Sequence, residues 1–278
     1  MTRTISHLYP ALRDDIGDLV TRRPLPGPGL PRLGAFLFLN HHGPQTYPPH
    51  SHGLPFGPHP HRGFETVTFI LEGELAHRDS GGHESIIGPG GVQWMTAGSG
   101  LIHEEVSPED FKRRGGPMEI LQLWVNLPAR LKMTAPRYTG LQADGFPTVT
   151  ENGAAVQVIA GDYRGQTGPI SSLTGVFMST VRLTGGGSVR FDGLEGRDVF
   201  LYVARGAIKI AGVAAAKFHL AALTEGDAVE ITADEDSLIL FGHAEPLNEP
   251  VVAHGPFVMN TEAEIHQAIA DYRAGKFG

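Results

Sequence analysis

From residue 34 to residue 128 the apolar positions fall in short runs rather than a helical repeat, and glycine or proline ends almost every run. "GAFLFLNHHGP" starts as an apolar strand, Ala35 to Leu39, and breaks at Gly43-Pro44; a Pro/Gly/His-rich loop is expected over 43–63. "ETVTFILEG" reads as a strand closed by a Glu72-Gly73 turn. "ELAHRDSGGHESII" reads as a hairpin about Ser80-Gly81-Gly82, where small residues accept tight-turn geometry. "GPGGVQWMTAGSGLIHEEV" gives two short strands around Gly98 and Gly100, and "EILQLWVNLP" one more, stopped by Pro128. Frequent short strands with turn residues between them predict an antiparallel barrel or sandwich.

A connector over about 136–161 leads into a second half that is also strand-like: "GVFMSTVRL", "SVRFDGL", "DVFLYVARG", "AIKIAGV", "AVEITA" and "SLILFG". The two halves echo each other. "TFILEGEL" can be laid on "LYVARGAI", which matches Gly73 with Gly206, and "GGVQWMTAGSGLIHEE" on "GDAVEITADEDSLILF". A duplication is expected, with domains at 1–136 and 137–278. The single helical signal is "TEAEIHQAIADYRAGKFG": Thr261 with Glu264 forms a capping-box pattern, Ile265, Ala268, Ile269 and Tyr272 form an apolar stripe, and Gly275 suits the end. This helix is expected to pack on a sheet.

Composition narrows the function classes. Lys plus Arg is 22 and Asp plus Glu is 30, so the net charge is 22 − 30 = −8, against a nucleic-acid surface. Cysteine is absent, which excludes disulfides, thiolate metal sites and cysteine nucleophiles. The first 20 residues hold no continuous apolar stretch of the signal-peptide kind and no run reaches membrane-span length, so a cytoplasmic protein is expected.

Histidine is the anomaly: nine of 14 lie between His41 and His103. Side chains at i and i+2 of a strand share a face. His59 and His61 therefore present two imidazoles side by side, and "LIHEE" adds His103 and Glu105 at the same spacing. If the two segments are neighbours, three imidazoles and a carboxylate converge, a donor set for a divalent first-row metal with positions left for substrate and O₂. Glu65 is an alternative carboxylate, whereas Glu104 falls on the opposite face. His50 and His52 share the spacing but sit in a Pro/Gly loop and read as surface. His77 and His83 flank a turn and are expected in solvent. Trp94 and Trp124 read as core; Phe36, Phe38 and Phe69 either line a cavity beside the site or fill the barrel.

"HPHRGFETVTFILEG", "VQWMTAGSGLIHEE", "LQLWVNLP" and "GPFVMNTEAEIHQAIADYRAGKFG" resemble the pirin family of the cupin superfamily over nearly the whole chain. The resemblance implies an all-β bicupin: two antiparallel β-barrels, one metal in the N-terminal barrel and a C-terminal barrel without one, ending in the helix. It carries the ligands onto His59, His61, His103 and Glu105, and so favours Glu105 over Glu65. In the second half, positions near Asp192 and Leu194 stand for the first pair, and Leu238 and Leu240 for the second; leucine cannot ligate.

The implied metal is iron(II), although the donors also suit Mn, Co, Ni, Cu and Zn. The implied activity is that of a quercetin 2,3-dioxygenase, which opens a flavonol heterocycle with O₂ and releases carbon monoxide, with Glu105 as ligand and general base. Its partners are then a small flavonol-like aromatic and O₂, with no nucleic acid or membrane, in a monomer. The other readings are a metal- or redox-responsive regulator that binds a protein partner, such as a transcription cofactor, and a structural bicupin with an empty site.

Overall fold

The computed structural model describes all 278 residues. The chain is built from antiparallel sheets, and its main helix, Glu262–Arg273, lies at the C-terminal end. No helix is long and apolar enough to cross a membrane. Two compact units are present. One comprises residues 13–21, 38–144 and 247–278; the other comprises 1–12, 22–37 and 145–246.

The first unit has two main sheets and a two-stranded one, Val252–His254 with Phe257–Met259. In the larger, the strands Arg137–Leu141, Val92–Thr96, Phe64–Glu72, Gly116–Asn126 and Phe36–Tyr47 lie in that spatial order. The smaller has the order Phe56–His61, Leu101–Val106, Leu75–Asp79, Glu84–Ile87. Phe64–Glu72 is buried along almost its whole length, on both faces, and its polar Glu65, Thr66 and Thr68 are buried with its apolar residues. Leu101–Val106 alternates instead: Leu101, His103 and Glu105 point inward and are buried, while Ile102, Glu104 and Val106 are partly exposed. Two polar side chains thus occupy positions where the strand pattern calls for apolar ones.

The second unit repeats the plan. Its larger sheet runs Ile5–Pro10, His219–Leu223, Asp198–Arg205, Ser237–Ala244, Phe177–Leu183, Ala154–Ala160, Thr148–Glu151, and its smaller sheet Ser188–Phe191, Val229–Ala233, Ala207–Ile210, Val213–Ala216. Gly73 and Gly206 hold equivalent turns, both at positive φ (84° and 71°), where a side chain would be strained. The second half of the sequence alignment is corrected by this topology. Leu101–Val106 is the neighbour of the strand after Gly73, and the neighbour of the strand after Gly206 is Val229–Ala233, not Ser237–Ala244. Counted from the turns, His103 and Glu105 therefore correspond to Val229 and Ile231, both fully buried in an apolar core, rather than to Leu238 and Leu240. The His59 position falls on Phe191, next to Asp192.

Three other expectations change. The strand from Phe36 does not break at Gly43-Pro44 but continues to Tyr47, and Phe56–His61 is itself a strand, so the expected loop is much shorter. The chain does not divide contiguously at 136/137: residues 247–278, helix included, cluster with the histidine-bearing unit. The capping box at Thr261 and Glu264 is present, and Ile265 and Ala268 are buried, but Tyr272 is 40% exposed and ends the buried stripe.

The cap gives a stability prediction. Thr261 accepts from the Glu264 backbone N–H, and the Glu264 carboxylate accepts from the Thr261 N–H. Thr261→Ala should cost about 1 kcal/mol in urea denaturation; an unchanged midpoint would mean that packing alone holds the helix.

Candidate metal centre

The inward face of the smaller sheet holds the site. Antiparallel pairing sets His59 opposite His103 and His61 opposite Leu101. Phe56–His61 is the edge strand. Ile102 directs its backbone N–H and C=O to Ser80, away from that edge strand, so its partner Pro60 sits at a position that needs no N–H for the ladder. The His-Pro-His sequence is therefore compatible with a strand. A register shift follows between His103 and Glu105: two residues on this strand span three on the other, His59 to Phe56. The extra residue lies in the Gly57-Pro58 stretch, and the Gly57 carbonyl accepts a 2.8 Å hydrogen bond from Nδ1 of His59.

Potential ligand atoms of His59, His61 and His103 lie within 4.8 Å of one another. His61 donates from Nδ1 to the Pro256 carbonyl at 3.3 Å. Both His59 and His61 thus keep Nε2 for another partner. His103 is buried and neither of its ring nitrogens has a hydrogen-bond partner. An orphaned imidazole facing two others is costly unless something binds it, so these residues fit a cation that accepts nitrogen donors.

Electrostatics agree with that fit. Burial depresses the basicity of all three rings. His61 is lowered to about 3, chiefly by desolvation and then by His59. His103 is held well below the ordinary range by burial and by His61, His59 and His77, and His59 is lowered by burial. The rings are therefore neutral at pH 7, the form that binds metals.

Glu105 lies beside this group rather than inside it. Its carboxylate is fully buried and accepts from Thr68 Oγ1 at 2.8 Å and from Gln122 Nε2. Burial raises its pKa to about 7, against the lowering effect of those two hydrogen bonds. Glu105, Thr68 and Gln122 line a small cavity with His42, Leu54, Phe56, Leu75 and Ile120. Glu65 is buried elsewhere, bonded to Thr96, and Glu104 turns outward to Arg78 at 3.5 Å. His50 and His52 are exposed.

Several residues beside the site were not legible in the sequence. His77 is not in solvent: it is buried, bonds Asp79 at 3.1 Å, stacks on Tyr138 at 4.0 Å and lies 5.4 Å from the His103 ring. Its place opposite Glu105 on the neighbouring strand put it inside, a signal available once the pairing is known. His83 does lie largely in solvent. His41 and His42 are buried; His41 bonds Glu119 at 2.8 Å and His42 bonds Thr21 at 2.9 Å. Of the phenylalanines, Phe38 stacks on Trp124 at 4.6 Å, and Trp124 meets His61 edge-on at 5.3 Å. Phe69 fills core, and Phe36 packs on Phe200 in the second unit. Trp94 is core, as expected, whereas Trp124 borders the site.

Residues 18–125 match the family model described as Pirin, and residues 178–278 that described as Pirin C-terminal cupin domain. The chain is 38% identical over 284 residues to the pirin of Mus musculus, covering 99% of this chain and 93% of that protein. It is similar to the crystal structure of a quercetin 2,3-dioxygenase from Acinetobacter baumannii, with a TM-score of 0.90 and 35% identity, covering 100% of this chain and 99% of that one. A bacterial pirin from Escherichia coli in complex with nickel(II) shares the fold at a TM-score of 0.69 and 24% identity, covering 86% of this chain and 99% of that one.

The depressed imidazoles predict how metal-free protein responds to acid. Below the ordinary histidine value of 6.5 and down to about 3, the unfolded chain takes up a proton at His61 that the folded chain refuses. Stability then falls as pH falls through this window. Glu105 acts in the opposite sense between 4.5 and about 7, because its folded form holds a proton that the unfolded form has lost. His61→Gln should therefore flatten the pH 4–6 slope of urea stability, in chelator, by up to about 1.4 kcal/mol per pH unit. An unchanged slope would show that His61 is protonated in the fold.

Proposed function

The chain belongs to the pirin family, and from that premise we propose that it is a metal-dependent dioxygenase that opens the heterocycle of a flavonol with O₂ and releases carbon monoxide. The observation that carries the reading is the convergence of three buried or half-buried imidazoles next to a fully buried carboxylate held by Thr68 and Gln122. His59, His61, His103 and Glu105 would hold one divalent transition metal, iron(II) by resemblance. Such a metal supplies Lewis acidity toward an enolic hydroxyl and a redox-active centre for O₂.

The chain's own groups account for the rest. Glu105, a buried carboxylate next to the three imidazoles, is placed to take the proton of the flavonol 3-hydroxyl. Thr68 and Gln122 orient its carboxylate by donating to separate oxygens. The Phe38–Trp124 pair offers a flat apolar surface beside His61 for an aromatic ligand. His59 is the least buried of the three histidines and marks the side from which a ligand would approach.

Two experiments test this reading. Reconstitution of metal-free protein with Fe(II), Mn(II), Co(II), Ni(II) or Cu(II) should give quercetin loss coupled to O₂ uptake and CO release. Glu105→Gln should retain part of the metal and lose about 10²-fold or more in turnover. Turnover no higher than that of free metal in buffer would reject the dioxygenase and leave a metal-responsive regulator as the reading. Separately, His103→Ala should lose the metal, while His50→Ala and His52→Ala keep it; full retention in His103→Ala would remove the ligand assignment.

A further inference from the structure

The segment Val252–Phe277 grips both strands that carry the histidines. It meets the end of the first strand through its backbone. The Pro256 carbonyl accepts from the Arg62 N–H as well as from the His61 ring, both at 3.3 Å, and the Val258 N–H donates to the Arg62 carbonyl at 3.0 Å. Lys132, buried, ties the same place from below: its Nζ donates to the Gly63 carbonyl at 2.8 Å and to the Val258 carbonyl at 3.0 Å. Gly63 has φ of 90°, and a Cβ there would run into the Val258 carbonyl. The close approach of the two backbones therefore needs glycine, which accounts for "HRGF".

Side chains complete the grip. Arg62 follows His61 directly and is buried. It donates to the Ser99 carbonyl at 2.7 Å and to the Asp271 carboxylate of the helix at 2.8 Å, and its guanidinium lies 4.5 Å from the centre of the Phe277 ring. Asp271 is further held by Gln267 and Lys276, both at 2.9 Å. On the second strand, Ile102, next to His103, packs into the cluster of Phe257, Met259, Ile265, Ala268 and Phe277. A Cβ on Gly100 would lie 2.8 Å from the Phe277 ring, so "GSG" is shaped to the same segment.

We propose that this C-terminal segment is a positioning element of the metal centre: Pro256 fixes His61 in the tautomer that leaves Nε2 for a metal, and Asp271 acts through Arg62 to hold the strand end that carries His61. The proposal rests on the reading of His59, His61 and His103 as a metal site. It differs from ordinary packing in its chemistry. A carbonyl can only accept, so the Pro256 contact selects Nδ1–H, and outer partners of this kind tune a ligand's affinity by about 10- to 100-fold.

The test uses the full chain. In metal-free wild type, ¹⁵N spectra of the histidine rings should show His61 protonated at Nδ1, and an Nε2-protonated His61 would overturn the proposal. By equilibrium dialysis with Ni(II), Asp271→Asn should bind about 10-fold more weakly or worse, with a mixture of His61 tautomers, and Asp271→Glu should recover much of the loss. Wild-type affinity in a folded Asp271→Asn protein would overturn it too. Arg62→Lys, which keeps a cation for Asp271 but lacks the guanidinium fork, serves if Asp271→Asn does not fold, with the same expected loss of affinity. If wild type takes up no Ni(II), the metal-site reading is at fault, and the tautomer measurement alone then decides the positioning of His61.

Discussion

The antiparallel register that sets His59 opposite His103 is the constraint on which the site depends. Side chains alternate along a strand, so a slip of one residue would turn His59 and His61 outward and replace them with prolines. The same register makes Pro60 harmless, because its missing N–H falls on the free edge. The irregularity at Gly57-Pro58 then provides a carbonyl for His59 without disturbing the pairing beyond it.

Burial converts this geometry into chemistry. Desolvation disfavours the charged form of each group, so it lowers the basicity of the imidazoles and raises that of Glu105. The second unit shows the contrast. At the positions matching His103 and Glu105 it carries Val229 and Ile231, which join an apolar core of valine, isoleucine, leucine and phenylalanine. The same strand plan thus supports either a polar interior or a conventional one, according to the side chains on two paired strands, with Phe191 where the first unit has His59.

Much of this was legible because it is local. The pairs at 59/61 and 103/105 show themselves through the two-residue period, the turn at Gly73 through its glycine, and the helix start through Thr261 and Glu264. What was illegible depends on which strands become neighbours. The similarity of "SLILF" to "LIHEE" lies in spacing from glycine-rich or acidic turns, and it misled because strand identity is set by pairing with Ala207–Ile210. His77 looked like a turn residue because its burial comes from Tyr138 and His103, distant in sequence. The return of residues 247–278 to the histidine-bearing unit rests on contacts such as Arg62 with Asp271, 209 positions apart, which no local pattern announces.

The central claim is that three imidazoles from two paired strands bind one metal. X-ray absorption at the zinc edge of Zn(II)-loaded protein addresses it directly. The account predicts one zinc per chain with three imidazole nitrogens and at least one oxygen donor at about 2.0–2.2 Å. Fewer than three imidazoles, or a spectrum unchanged in His103→Ala, would contradict it.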